Sequence, residues 1–198
     1  MYGMVNNAIK QLIIENHGQE TWAQVFRDSN LSSDDFYHME QYEDSDSVAL
    51  VVSASTILEM TPAAFLESLG VYWITYAMNS DYGDLLEMAG DSLTEVLENL
   101  DSMHGRVGDS FEALRPPSFW CTDIEENSLY LHYASDREGL SPMVVGLVKG
   151  LGIHFGLDCE VENIESVTDG ADHDIFSVTY TAMSNDSSSS EVTIETAV

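Results

Sequence analysis

The chain has 198 residues, 44% of them hydrophobic and 10% aromatic, which is enough for one full-sized globular domain and short for two. With 35 acidic and 6 basic residues, its formal net charge is −29. That balance excludes nucleic acid as a partner, because phosphate binding needs a basic face, and it argues equally against an anionic membrane surface.

There is no long apolar run and no basic-then-apolar N-terminal stretch, so a cytoplasmic protein with no membrane partner is expected. Cys121 and Cys159 lack a CxxC pattern or a close His/Cys cluster, so free thiols are expected rather than a disulfide or a structural zinc site.

The first two thirds of the chain carry helical periodicity. Val5, Ala8, Ile9, Leu12 and Ile13 share one face, and "NHG" at 16–18 ends that helix. Trp22, Val25 and Phe26 mark a second helix, and "RDSNLSSDD" is a polar connector. Val48, Val51, Val52 and Ser55 belong to a third helix running to about Met60. Thr61 as N-cap and Pro62 at the first helical position start a fourth, with Phe65, Leu69, Trp73 and Tyr76 along one side. "NSDYGD" breaks it. A capping box of Ser92 and Glu95 opens the helix over 92–108, whose apolar stripe runs from Leu93 through Leu100, Met103 and His104 to Val107. Gly108 stops it.

After "RPP" at 115–117 the pattern changes. "SLYLHYAS" at 128–135 alternates and predicts a strand, Ser141-Pro142 starts a helix, and "DCEVENIESV" and "HDIFSVTYTAM" predict two more strands. Residues 183–198 predict a flexible, serine-rich tail. Helices first and a small antiparallel sheet with one helix afterwards make the fold class α+β.

Five of the six histidines sit beside polar or loop residues and carry no special signal. His104 differs, because it lies on the apolar side of its helix, one turn after Leu100. A lone histidine cannot build a zinc site. It serves either as a core histidine bonded to a backbone carbonyl or as the single axial ligand of haem iron, where the porphyrin supplies four nitrogens. Haem brings two propionates, and the spacing of Tyr133, Ser135 and Arg137 offers two hydroxyls and a guanidinium from one strand face if the strand persists that far. In so acidic a protein a dianionic cofactor needs such a clamp.

The motifs "LDSMHGRVG", "LRPPSF" and "YASDREGL" resemble those of the haem-nitric oxide/oxygen-binding (H-NOX) family, which includes the haem domain of soluble guanylate cyclase. The likeness extends from "MYGMVNNAI" to about "DHDIFSVTY" and is strongest to stand-alone members of the cyanobacterial type. It implies one haem-binding domain over 1–182, with a helical N-terminal subdomain over about 1–60 packed on the remainder and haem b between them. It implies His104 as axial ligand, Tyr133, Ser135 and Arg137 as the propionate clamp, and Pro117, with Pro116 the alternative, pressing on the porphyrin. The implied role is a gas sensor, not an enzyme. Ligand binding would release the helix bearing His104 and signal to a separate histidine kinase or to a cyclic-nucleotide or cyclic-dinucleotide enzyme.

Oxygen-binding members of that family place a tyrosine shortly after the triplet. Here Pro142 or Met143 holds that place, and neither side chain donates a hydrogen bond. Nitric oxide and carbon monoxide are therefore the expected ligands. Trp73 is the competing feature: its indole is a donor for an oxygen sensor, or a large aromatic packing the pocket wall. Met4, Val5, Ile9, Leu100 and Met143 are further candidate liners. A haem-dependent enzyme is the remaining alternative, and it needs a distal acid–base group that these stretches lack.

Overall fold

Thr61 does what its position predicts. Its hydroxyl accepts a hydrogen bond from the Ala64 N–H at 3.1 Å, Pro62 follows, and the long helix that joins the two halves of the molecule begins. The computed structural model describes residues 1–80, 83–108 and 114–183. In chain order the helices are α1 (Gly3–His17), α2 (Gln19–Ser29), α3 (Asp44–Ile57), α4 (Pro62–Met78), α5 (Gly83–Glu87), α6 (Leu93–Gly108) and α7 (Ser141–His154). The strands are β1 (Ser118–Thr122), β2 (Ser128–Ala134), β3 (Leu157–Glu165) and β4 (Asp174–Ala182). The class is α+β, as expected. The tail expected over 183–198 lies, beyond Met183, outside the described residues.

The strands form one antiparallel sheet in the order β1-β2-β4-β3. Alternation along β2 turns Leu129, Leu131 and Tyr133 inward, while Tyr130 faces out. Strand β1 has no forerunner in the sequence reading. It is five residues long and directly follows two prolines, too short for alternation to register, and only its pairing with β2 reveals it. The same holds for the five-residue α5, next to the predicted break.

Two cores result. Ile9, Ile13, Trp22, Val25, Leu50, Phe65 and Leu69 pack among the N-terminal helices. Leu93, Val96, Leu97, Leu129, Leu131, Val148, Phe176 and Val178 pack between α6, α7 and the sheet. Each fully buried side chain of this kind stabilises the fold by about 1.5–3 kcal/mol over leaving it in water. Helix α4 contributes to both cores, and Trp73 packs against each.

Helices α4 and α7 cross closely because both carry glycine at the crossing. A Cβ on Gly146 would overlap the Glu67 carbonyl, and one on Gly70 would overlap the Met143 carbonyl. Lys149 and Glu67 form an ion pair at 2.6 Å beside the crossing. This approach sets Trp73 of α4 and Met143 of α7 on the walls of one cavity. Among the described residues no single helix is long and apolar enough to cross a membrane, and Cys121 and Cys159 are free thiols.

Candidate functional site

The capping box at the start of α6 fixes where its stripe points. Ser92 Oγ accepts from the Glu95 N–H at 3.3 Å, and Glu95 Oε2 accepts from the Asp91 N–H at 2.9 Å. From there Leu93, Val96 and Leu97 bury in the second core, while Leu100, Met103, His104 and Val107 line a cavity of about 290 Å³. Helix α1 adds Met4 and Val5, α4 adds Trp73, Ile74 and Ala77, and α7 adds Met143, Val144, Leu147 and others. Pro116, Pro117, Tyr133, Ser135 and Arg137 complete the lining at the polar end. Every residue singled out for the cofactor therefore meets at one cavity, except two of the looser candidates. Ile9 sits in the first core, buried against the other N-terminal helices rather than facing the cavity, because its turn of α1 faces the packed side. Pro142 is not a liner either; Met143 takes the place beside it.

His104 packs against the Phe119 ring, with centroids 5.9 Å apart, and Phe119 packs in turn on Tyr133 at 5.2 Å. The imidazole Nδ1 is buried with no hydrogen-bond partner. Burial holds the ring below the usual histidine range, against the opposing pull of Asp101 and the Pro117 carbonyl. A neutral imidazole on the cavity wall is able to ligate a metal, and a buried nitrogen without a partner is uncommon for a core histidine.

The triplet is arranged differently from a plain strand. Strand β2 ends at Ala134, so alternation places only Tyr133. Ser135 and Arg137 reach the cavity from the following loop, which closes on itself: the Arg137 N–H donates to Ser135 Oγ at 3.0 Å. Tyr133 is buried and bonds to the Ser135 side chain; burial raises its phenol above the ordinary range. Arg137 Nη1 donates to the Arg115 carbonyl and Nε to Asp44 Oδ2, each at 2.9 Å. The second contact ties the clamp to the start of α3, in the N-terminal half. Arg115, which lines the same cavity, escaped the sequence reading. No local signal marks it, because 22 residues separate Arg115 from Arg137 and only the fold brings them together.

The donor set fits haem: an apolar slot, an imidazole on its wall, and hydroxyls with the Arg137 guanidinium at one end. Among the described residues no cluster of three or more His, Cys, Asp or Glu offers a bare-metal site instead. Fold and site together are those of an H-NOX-type haem domain, a gas-sensor module. The chain belongs to the Haem-NO-binding family, whose model matches residues 2–163.

Among curated proteins it is 37% identical over 152 residues to soluble guanylate cyclase gcy-32 of Caenorhabditis elegans, covering 75% of this chain and 22% of that protein. It is 34% identical over 162 residues to gcy-34 of the same organism, covering 80% of this chain and 24% of that one. The chain thus spans under a quarter of these relatives, and the cyclase activity in their names belongs to the whole proteins. Among solved structures, an H-NOX protein from S. oneidensis in its Fe(II)NO state superimposes with a TM-score of 0.82 at 19% identity, covering 91% of this chain and 99% of that one. That likeness concerns the fold.

Proposed function

We propose that this domain senses nitric oxide, and carbon monoxide with it, on haem b held by His104, and passes a conformational change to a separate signalling partner. What supports the ligand preference is the α7 wall: Met143, Val144 and Leu147, at and after the place where a distal tyrosine would stand, offer no hydroxyl, amide or imidazole. Among the described residues, the donor-bearing side chains that do line the cavity, apart from His104, Arg115 and the clamp, are Tyr2, Gln41 and Trp73. Bound oxygen carries partial negative charge and gains from a donor; losing a hydrogen bond to a charged group costs about 1.5–3 kcal/mol, one to two decades in affinity.

Haem, when bound, supplies the iron that takes up the gas. Everything else falls to the chain. His104 anchors α6 to the cavity, so freeing its imidazole frees the helix to shift. Asp101, one turn earlier, grips the start of β1. Arg137 spans the cavity rim to Asp44 on α3, so a moving clamp reaches the N-terminal half. The Gly70–Gly146 crossing holds α4, which packs into both cores, tightly on α7. A partner responds only if it prefers one of the two arrangements. The cyclase relatives favour a cyclic-nucleotide enzyme as that partner; a histidine kinase or a cyclic-dinucleotide enzyme is the other class, and a cytoplasmic setting suits all of them.

A second reading, an oxygen sensor, rests on Trp73, whose indole-bearing side chain lines the same walls. Reducing the protein and admitting air decides between them. Rapid loss of the ferrous spectrum in air, with a stable spectrum under nitric oxide, is the expected result. A stable oxygenated spectrum would establish the second reading. Absence of peroxide turnover in the same preparation separates both from a haem-dependent enzyme.

A further inference from the structure

The sheet has an outer face, and on it three aromatic side chains cluster away from the cavity. Trp120 and His132 are register partners across β1 and β2, stacked at 4.9 Å with their planes 10° apart. His173, immediately before β4, lies against the same indole at 4.8 Å. His132 Nδ1 and His173 Nε2 stand 2.9 Å apart, and His132 Nε2 is 2.9 Å from Thr122 Oγ1. The sequence showed no signal in either histidine, because 41 residues separate them and only strand pairing unites them.

The geometry separates two uses of such a pair. The ring centroids are 5.1 Å apart with the nitrogens at 2.9 Å. The remainder is about twice the distance from an imidazole centre to its nitrogen, so the nitrogens meet nearly head-on along a hydrogen bond. Lone pairs aimed at each other do not converge on a third point, which disfavours a chelated metal ion.

We propose that His132 and His173 form a proton-operated latch on the outer face, closed with no added proton or one, and open with two. With no added proton, one facing nitrogen donates and the other accepts. With one added, His132 carries N–H at both nitrogens and donates to Thr122 Oγ1 and to His173 Nε2, so no bond is lost and the link becomes charge-assisted. The Trp120 face stabilises that cation. A second proton puts N–H on both facing nitrogens and sets two cations against each other.

Burial, and next to it His173, hold the His132 imidazole below the usual histidine range, against the pull of Asp123 after β1 and Glu165 at the end of β3. Asp172 and Asp174 flank His173 in the chain, but the Asp174 carboxylate turns inward to Ser141.

The latch sits back to back with the propionate clamp. His132 precedes Tyr133, His173 precedes Asp174, and Tyr133 and Asp174 are directly paired. Ser141, at the start of α7, donates to Asp174 Oδ2 at 2.8 Å. Opening the outer face therefore loosens the strand ends that carry Tyr133 and the start of α7.

Side-chain nitrogen NMR of the full chain, titrated from neutral to mildly acidic pH, tests this without reference to any ligand. His132 and His173 are expected to share two macroscopic steps more than about one pH unit apart, with the Trp120 indole N–H following both. In His173→Gln, which keeps a hydrogen-bonding side chain, His132 is expected to show one step. Amide protection factors at 132–133 and 173–174 in the unmodified protein, taken relative to the intrinsic exchange rate at each pH, are expected to fall roughly tenfold below the second step. Two independent single steps, or protection that ignores the second step, would overturn the proposal, and both are read on the unsubstituted chain.

Discussion

Asp101 Oδ1 accepts a hydrogen bond from the Phe119 backbone N–H at 2.7 Å, which fastens the helix carrying His104 to the first residues of β1. Phe119 itself lies between the rings of His104 and Tyr133. His104 and Tyr133 are therefore joined through one aromatic ring and one charge-assisted bond. Replacing Asp101 with alanine removes the acceptor and is expected to lower stability by about 1–2 kcal/mol, read from urea midpoints. Asp101→Asn keeps an acceptor and is expected to lose less than half as much.

His104→Gly is expected to abolish haem retention, with the Soret band returning on addition of imidazole. A variant that keeps an unchanged axial-ligand spectrum without imidazole would remove His104 from the proposed role.

Arg137 makes its ion pair at a half-exposed position, where such pairs contribute about 0–1 kcal/mol to folding. Arg137→Ala is therefore expected to change the melting temperature little. In the proposed role Arg137 is a charge-assisted propionate partner, so haem transfer to apomyoglobin is expected to run about ten- to a hundredfold faster. Equal losses in both measurements would make Arg137 a purely structural residue.

Gly146→Ala places a methyl group into the Glu67 carbonyl. Either α7 or α4 has to give way, at a cost of about 1–3 kcal/mol. The cavity walls at Trp73 and Met143 move with them, so a shifted Soret maximum is expected alongside the lower melting point.

Asp174 is buried, and burial alone would raise its carboxyl. Bonds from Ser141, Ser166, the Val167 N–H and Asn163 outweigh that and hold it below the usual carboxylate range. A carboxyl whose folded pKa is depressed contributes stability above its unfolded pKa and loses it as pH falls through the folded one. The stability gap between the natural chain and Asp174→Asn is thus expected to be full at neutral pH and to close below about pH 4, in paired urea titrations.

Much of this was legible along the chain, and for local reasons. Caps, helical stripes and the alternation of β2 act over a few residues, so Thr61-Pro62, Ser92/Glu95 and Leu129–Tyr133 announced their elements directly. The Tyr-x-Ser-x-Arg spacing and a histidine on an apolar stripe offered groups that suit a porphyrin, and the family resemblance chose that reading over a core histidine, although the strand ended one residue before Ser135. Ile9, a candidate liner, packs in the first core instead, because periodicity shows that a face is apolar and not which apolar neighbour it meets.

By itself the sequence determined the longer helices and strands and the α+β order, because each depends on short-range spacing and residue chemistry. Only the tertiary structure decided that β1 exists, that Arg137 reaches across to Asp44, that Arg115 joins it at the rim, and that His132 meets His173 on the far side of the sheet. Those contacts join residues far apart in the chain. Their partners are chosen by packing and strand register, which no local pattern encodes.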